Sequence, residues 1–281
     1  MSREGSGSID AANVGPILVV DDNEANTILA VRLLEKMGYS AVAVRNGLEA
    51  VEATASGGHP LILMDCQMPV MDGFEATRAI RARESDGHER LPIIAMTANA
   101  TDRHLDACLE AGMDDIVTKP VMIDVLAELL ARWHPVAQPT AFDPRTSHRM
   151  PAMNGSTQGL DVDVLRRLEH DLGMEAFSRF LEVYLRELPG REAAILQAVD
   201  DRSAEALRMA AHALKSPSAA VGASRLGKVC SELETLGRGG RLEAADARVK
   251  QLRAECQAVA GVLETELATL RAYSEPPSAS R

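Results

Sequence analysis

Residues 17–26 read ILVVDDNEAN. This is a four-residue apolar run, then two aspartates, then the start of a stretch, residues 24–37, with apolar side chains at helical spacing. The same succession of short apolar run and amphipathic stretch recurs four more times. The runs lie at 17–20, 41–44, 61–64, 93–96 and 116–117, and the helix-like stretches at 24–37, 48–55, 74–83, 103–111 and 123–133. Five such repeats predict an α/β doubly wound fold, a five-stranded parallel sheet with helices on both faces. Gly38 stands where a glycine ends the first helix.

Charge collects at the ends of these runs. Asp21 and Asp22 directly follow the first, Asp65 the third and Thr97 the fourth, and Lys119 lies just past the fifth. In an open parallel sheet these ends share one edge, the edge at which ligands bind. Three carboxylates brought together there repel one another, and a divalent cation removes that penalty. Hard oxygen donors suit Mg2+, which keeps several waters and accepts a phosphoryl oxygen.

The strings VVDDNEAN (19–26), MDCQMPVMDG (64–73), AMTANA (95–100) and TKP (118–120) resemble the receiver domain of two-component response regulators, over roughly residues 15–135. The resemblance implies a flavodoxin-like receiver in which Asp65 accepts a phosphoryl group from a histidine. It further implies that Asp22 and Asp65 bind Mg2+ directly together with the backbone carbonyl of Gln67, that Asp21 acts through water, and that Thr97 and Lys119 hold the phosphoryl oxygens. Phosphoryl transfer needs positioning and charge neutralisation more than covalent assistance, which agrees with these residue types. The sequence departs from the family at Ile116, where Tyr or Phe is usual three residues before the lysine, so the aromatic part of an output switch is not expected.

The stretch 135–158 is different in kind. Prolines at Pro135, Pro139 and Pro144, and Pro151 further on, with many small polar residues, break any hydrophobic period and predict a linker. From 159 to 273 no strand-like run is evident. The pattern is helical throughout, with breaks expected near 171–173, 189–190, 200–203, 222 and 237–240, which predicts an all-α antiparallel four-helix-bundle domain. The expected organisation is a flexible N-terminus at 1–14, a first domain at 15–134, the linker at 135–158, a helical domain at 159–273 and a flexible tail at 274–281.

Of seven histidines, His59, His88 and His148 fall in turn or linker sequence, and His104, His134 and His170 lie among polar neighbours on or beside helices. His212 differs. Its helix is expected from about 203 to 221, where Leu207, Ala211, Leu214, Ser218 and Val221 fall within roughly 40° of one line and mark the buried face. His212 lies roughly 140° from that line. It is expected exposed, with Arg208, Lys215 and Ser216 around it and no Glu or second His on that face to complete a metal set. Two cations beside an exposed imidazole favour a free nitrogen lone pair and attract a phosphoryl group.

The string AHALKSPSAAVGA (211–223) resembles the phosphorylation motif of histidine phosphotransfer (HPt) domains, with the resemblance covering roughly residues 159–273. It implies that His212 carries the phosphoryl group and that Lys215 assists. Two residues depart from the family. Ser216 stands where glycine is common, and Pro217, lacking an N–H, is expected to loosen or kink the helix one turn after His212.

The 281 residues suit two domains, and their net charge of −11 argues against a nucleic-acid partner, which needs a basic surface. The charge is uneven: residues 1–140 hold 11 Lys and Arg against 21 Asp and Glu. No apolar run approaches the ~20 residues that span a bilayer, and the Gly/Ser-rich start lacks an apolar signal core. No membrane contact and a cytoplasmic location are therefore expected, whether the chain stands alone or forms the C-terminal end of a hybrid sensor histidine kinase. The scattered cysteines Cys66, Cys108, Cys230 and Cys256 form no CxxC pair and are expected to be buried, idle thiols. No GxxxxGK[ST] phosphate loop or kinase ATP box is found, so the chain is expected to receive its phosphoryl group rather than take it from ATP.

These features favour a phosphorelay. An upstream histidine kinase core phosphorylates Asp65, the group passes to His212, and a downstream response-regulator receiver takes it. The alternative is a phosphorylation-switched interaction module with no onward transfer from His212. An aspartate-nucleophile hydrolase is disfavoured, because Gln67 stands where such enzymes carry a second acid.

Overall fold

The computed structural model describes residues 15–84, 90–98, 102–133, 156–157 and 159–274. The expected N-terminal segment 1–14, the expected linker apart from Ser156 and Thr157, residues 275–281 of the expected tail, and His88, His134 and His148 lie outside the described residues. The described residues form two compact units, one before and one after residue 150.

In the first unit, strands and helices alternate without exception. They are β1 Ile17–Val20, α1 Glu24–Lys36, β2 Ala41–Val44, α2 Gly47–Ala55, β3 Ile62–Asp65, α3 Gly73–Glu84, β4 Ile93–Thr97, α4 Asp102–Ala111, β5 Asp115–Thr118 and α5 Ile123–Trp133. The five strands form one sheet in the order β2-β1-β3-β4-β5, and every pair is parallel. β1, β3 and β4 are buried along their whole length. Helices cover both sheet faces, which is why these strands read as continuous apolar runs rather than as alternation. Each buried Leu, Ile or Met contributes roughly 1.5–3 kcal/mol, so the central strands carry much of the unit's stability.

Asp65 and Thr97 are the last residues of their strands rather than the first residues after them. Asp65 pairs with Met96 and Thr97 with Thr118. The apolar run marks what is buried, whereas the hydrogen-bonded ladder sets where a strand ends, and the ladder here runs one residue further. The chain leaves β1 toward β2 on one side and reaches β3 on the other. This reversal opens a crevice at the carboxyl ends of β1 and β3, where Asp21, Asp22 and Asp65 lie.

The second unit is helical apart from a two-residue antiparallel pair, β6 Ser156–Thr157 with β7 Leu160–Asp161. The expectation of helix throughout from residue 159 is thereby corrected. Leu160 is buried, and Asp161 is extended because it caps the next helix, accepting from the N–H groups of Asp163 and Val164. The helices are α6 Val162–Leu172, α7 Met174–Asp200, α8 Ala204–Ala220, α9 Ser224–Arg238 and α10 Leu242–Ser274. α7 packs on α8, α8 on α9, α9 on α10, and α10 returns to α7, while α6 lies against α7 and α8. The connections at 201–203, 221–223 and 239–241 are too short to carry the chain back along a helix, so neighbours run antiparallel.

The break expected at 189–190 is absent, and α7 continues through Pro189. Proline removes one backbone hydrogen bond from a helix interior. The buried residues on either side, Val183, Tyr184 and Leu188 before and Ile195, Ala198 and Val199 after, hold the helix against its neighbours. The other expected breaks coincide with the connections or with Gly173.

Candidate functional site

The crevice of the first unit is built from the turn that follows β1. Asn23 caps α1 by accepting from the N–H groups of Ala25 and Asn26. Asp21 Oδ1 in turn accepts from Asn23 N at 3.0 Å and Asn26 Nδ2 at 3.2 Å. These bonds hold the Asp21 carboxylate at the sheet edge, almost wholly buried. Lys119 is carried in from β5. Its backbone N–H donates to the carbonyl of Thr97 at 2.7 Å, and its Nζ lies 2.6 Å from Asp21 Oδ2 and 2.7 Å from Asp65 Oδ2. Gln67 N donates to the other Asp65 oxygen at 3.3 Å.

One lysine therefore faces two buried carboxylates, with a third close by. Carboxylate oxygens of Asp21, Asp22 and Asp65 all lie within 4.8 Å of one another, and only Asp22 is exposed to solvent. Burial pushes the Asp65 carboxyl up. Lys119 opposes that, and the carboxylates of Asp21 and Asp22 add to it, leaving Asp65 at about 7. Burial pulls the Lys119 ammonium down, but Asp21 and Asp65 outweigh it and hold it above the usual lysine value. The site thus has an excess of negative charge and hard oxygen donors open to water on one side. This donor set fits a small divalent cation of the Mg2+ type. Thr97 is buried at the end of the adjacent strand.

The sequence reading brought Asp21, Asp22, Asp65, Thr97 and Lys119 to one edge, and the structure places all five there, with Gln67, named by the family resemblance, beside Asp65. Ile116, the residue that departs from the aromatic pattern, is partly buried against the core of the first unit.

In the second unit, α8 starts at Ser203, whose Oγ accepts from Ala206 N at 3.3 Å. Leu207, Ala211, Leu214 and Ser218 are buried as the helical spacing requires. His212 departs from expectation: its side chain keeps only 14% exposure, because Glu234 of α9 lies against it. Glu234 Oε1 is 3.3 Å from His212 Nδ1 and accepts from Arg238 Nη2 at 3.0 Å. Its Oε2 accepts from Lys215 Nζ at 2.7 Å. Arg208 turns to Glu205 on its own helix at 2.6 Å. The expected picture, an open imidazole flanked by two cations without a carboxylate, is corrected. A single-helix projection sees only its own residues, and the missing carboxylate comes from a neighbouring helix.

Burial alone would push the Glu234 carboxyl up. His212 and Lys215 outweigh it and hold it at about 2. The close approach of α9 to α8 depends on Gly237, one turn after Glu234. A Cβ there would fall 2.7 Å from the Ala204 carbonyl oxygen and 2.8 Å from Arg208 N. Glu234 and Gly237 were not singled out from the sequence, yet a signal existed. In α9 the buried residues are Leu226, Val229, Cys230, Leu233, Glu234 and Gly237, so a carboxylate stands on an otherwise apolar stripe, which is rare without a partner.

Pro217 does not end the helix, and α8 runs on to Ala220. Pro217 has no N–H to offer the carbonyl of Ala213. Arg191 Nη1, reaching across from α7, donates to that carbonyl at 3.0 Å, and Glu187 steadies the same guanidinium at 2.7 Å.

A family model for the response regulator receiver domain matches residues 17–131, and one for the Hpt domain matches residues 179–262. The chain carries a receiver domain followed by an Hpt domain. This pair of domains belongs to two-component phosphorelay signalling. The chain is 35% identical over 242 residues to the sensor protein GacS of Pseudomonas syringae pv. syringae, covering 80% of this chain and 26% of that protein. It is 37% identical over 224 residues to the sensor histidine kinase GacS of Pseudomonas protegens, covering 78% and 24%. It thus spans about a quarter of the length of these curated relatives. Among solved structures, the receiver domain of the sensor histidine kinase PA1611 from Pseudomonas aeruginosa PAO1, with a magnesium ion in its active site cleft, is 42% identical. That match covers 43% of this chain and 97% of that one with a TM-score of 0.40. No helix among the described residues is long and apolar enough to cross a membrane.

Proposed function

We propose that this receiver–Hpt chain is a two-site phosphoryl carrier. Asp65 receives the group from the phosphohistidine of an upstream histidine kinase core, His212 takes it from Asp65, and a downstream response-regulator receiver takes it from His212. The observation that supports this best is the buried Asp65 carboxylate, which shares Lys119 with Asp21 at the ligand-binding edge of the sheet.

In the first step an Asp65 oxygen attacks phosphorus. The P–O bond forms as the P–N bond breaks, and the kinase imidazole leaves with the electron pair. Lys119 exchanges its contact with the Asp65 carboxylate for the incoming phosphoryl oxygens, which Thr97 also holds. Asp22, Asp65 and the Gln67 backbone carbonyl would hold Mg2+ directly and Asp21 through water, and the ion would supply charge neutralisation when bound. In the second step the His212 imidazole attacks and the Asp65 carboxylate leaves. A proton on Nδ1 donated to Glu234 keeps the lone pair on Nε2, and the Glu234 charge balances the cationic ring that forms. Lys215 draws in the phosphoryl oxygens.

The same reading assigns 15–134 to the receiver, 135–158 to the linker and 159–273 to the Hpt domain, both domains acting in the cytoplasm. The test is transfer of radiolabel from a phosphorylated kinase core in the presence of Mg2+, with acid-labile and base-labile label separated. Wild type is expected to carry both, Asp65→Asn neither, and His212→Gln only the base-labile form. Full acceptance of label by Asp65→Asn would sink the assignment.

A further inference from the structure

Cys66 and Cys108 have no part in that chemistry, yet they face each other. Cys66 follows Asp65 directly, and Cys108 lies on α4, 42 residues further along the chain. Their sulfurs are 3.9 Å apart and share a hydrogen bond. Both residues are buried, with exposures of 1% and 0%, in a core shared with Met64, Ile80 and Met113. Disulfide sulfurs stand ~2.0 Å apart, so the two need to close by roughly 1.9 Å. The backbone on the β3 side is fixed: Cys66 N donates to the Met96 carbonyl at 3.3 Å, and the Cys66 carbonyl accepts from Gly73 N at 3.2 Å. Closure therefore falls to side-chain rotation and a small shift of α4 toward the sheet.

We propose that Cys66 and Cys108 form an intramolecular disulfide when the protein meets hydrogen peroxide, making this pair a modification site beside Asp65. The Cys108 sulfur attacks one peroxide oxygen, the O–O bond breaks, and the leaving hydroxide takes a proton to become water. Cys108 is then a sulfenic acid. The Cys66 sulfur attacks it, the S–O bond breaks, and the second oxygen leaves as water with the remaining thiol proton. Two thiols and one peroxide give one disulfide and two waters. Either thiol can donate in the hydrogen bond they share; Cys108 is assigned as the attacking sulfur because it lies on α4, the element whose shift closes the gap, whereas Cys66 is held by its backbone bonds to Met96 and Gly73. Burial restricts the site to a small oxidant, and the rate follows how often the α4 side of the unit opens. The product ties α4 to the residue that follows Asp65.

The test is peroxide treatment of the full chain, alkylation of remaining thiols and non-reducing peptide mapping. The expected result is a peptide linking Cys66 to Cys108, two hydrogens lighter than its parts and separated again by dithiothreitol. Cys66→Ser is expected to stop at a Cys108 sulfenic acid that dimedone traps; if that variant does not fold, the wild-type map decides alone. The proposal is overturned by a link that forms only in urea. It is overturned equally by Cys108 oxidation without a link, or by peroxide that oxidises methionines of the chain and leaves both thiols reduced.

Discussion

Glu234→Gln removes one negative charge and little volume from the contact between α8 and α9. In the fold the Glu234 carboxyl titrates at about 2 instead of its ordinary 4.5, because Lys215 and His212 face it. At ~1.4 kcal/mol per pH unit this corresponds to roughly 3 kcal/mol of preference for the carboxylate. Arg238, which is 61% exposed, opens the cluster to solvent on one side, so about half of that, ~1.5 kcal/mol, is the expected loss. A carboxyl held below its unfolded value stabilises the fold above pH 4.5 and loses that contribution as pH falls through about 2. The difference between variant and wild type should therefore be full at pH 7 and shrink below 4.5. For a unit of this size it amounts to a fall in melting temperature of roughly 5–10 °C. The two units can be followed separately, because the single tryptophan, Trp133, lies in α5 of the receiver. Its fluorescence should not change, while the far-UV circular dichroism of the helical unit shifts. An unchanged helical transition at pH 7, or a difference that persists undiminished to pH 3, would refute the electrostatic account.

Other outcomes follow from the same geometry. The raised Asp65 carboxyl implies that this group's contribution to receiver stability, in chelator, is full below about pH 4 and is lost as pH rises through about 7; millimolar Mg2+ should reduce that loss, and melting curves with and without Mg2+ at pH 5 and pH 8, compared with those of Asp65→Asn, check it. Asp22→Ala removes a solvent-facing ligand from the acidic cluster and should raise the Mg2+ concentration needed for half-maximal stabilisation several-fold in the same titration. Gly73→Ala would put a Cβ 2.1 Å from the Asp65 carbonyl oxygen, so it should lower the receiver's melting temperature, by about 2 kcal/mol of stability or more, and slow label uptake at Asp65; a variant as stable as wild type would show that the loop moves freely. His212→Gln should leave label on Asp65 and stop its passage to a downstream receiver, as an onward-transfer assay would report.

Most of the receiver was legible because its signals are local. Central strands covered on both faces must be apolar throughout, so 17–20 coincides with β1 to the residue, and the edge strand β2, though partly exposed, is matched equally by 41–44 because its run is made of Val and Ala alone. The strand-end residues Asp21, Asp65, Thr97 and Lys119 could be placed together because parallel connectivity puts every carboxyl end on one edge. What escaped depends on contacts between elements. Pro189 looks like a break in sequence, but buried neighbours keep α7 continuous through it, and Arg191 reaches the carbonyl that Pro217 cannot serve. Glu234 lies 22 residues from His212, too far for a helical projection to connect them. Only its place on the apolar stripe of α9 betrayed it.

Gly237 sets the gap between two helices by having nothing to put in it. His212 and Glu234 sit on separate rods, and neither determines how far apart those rods lie. That distance is gauged one turn further along α9, where backbone meets backbone at Ala204 and Arg208. A methyl group at this point would act as a wedge, spreading the rods and lengthening the Nδ1 to Oε1 contact without touching either partner. The imidazole's chemical character is thus under the control of a position that carries no functional group. Drift there would retune the histidine while every charged residue around it stayed the same.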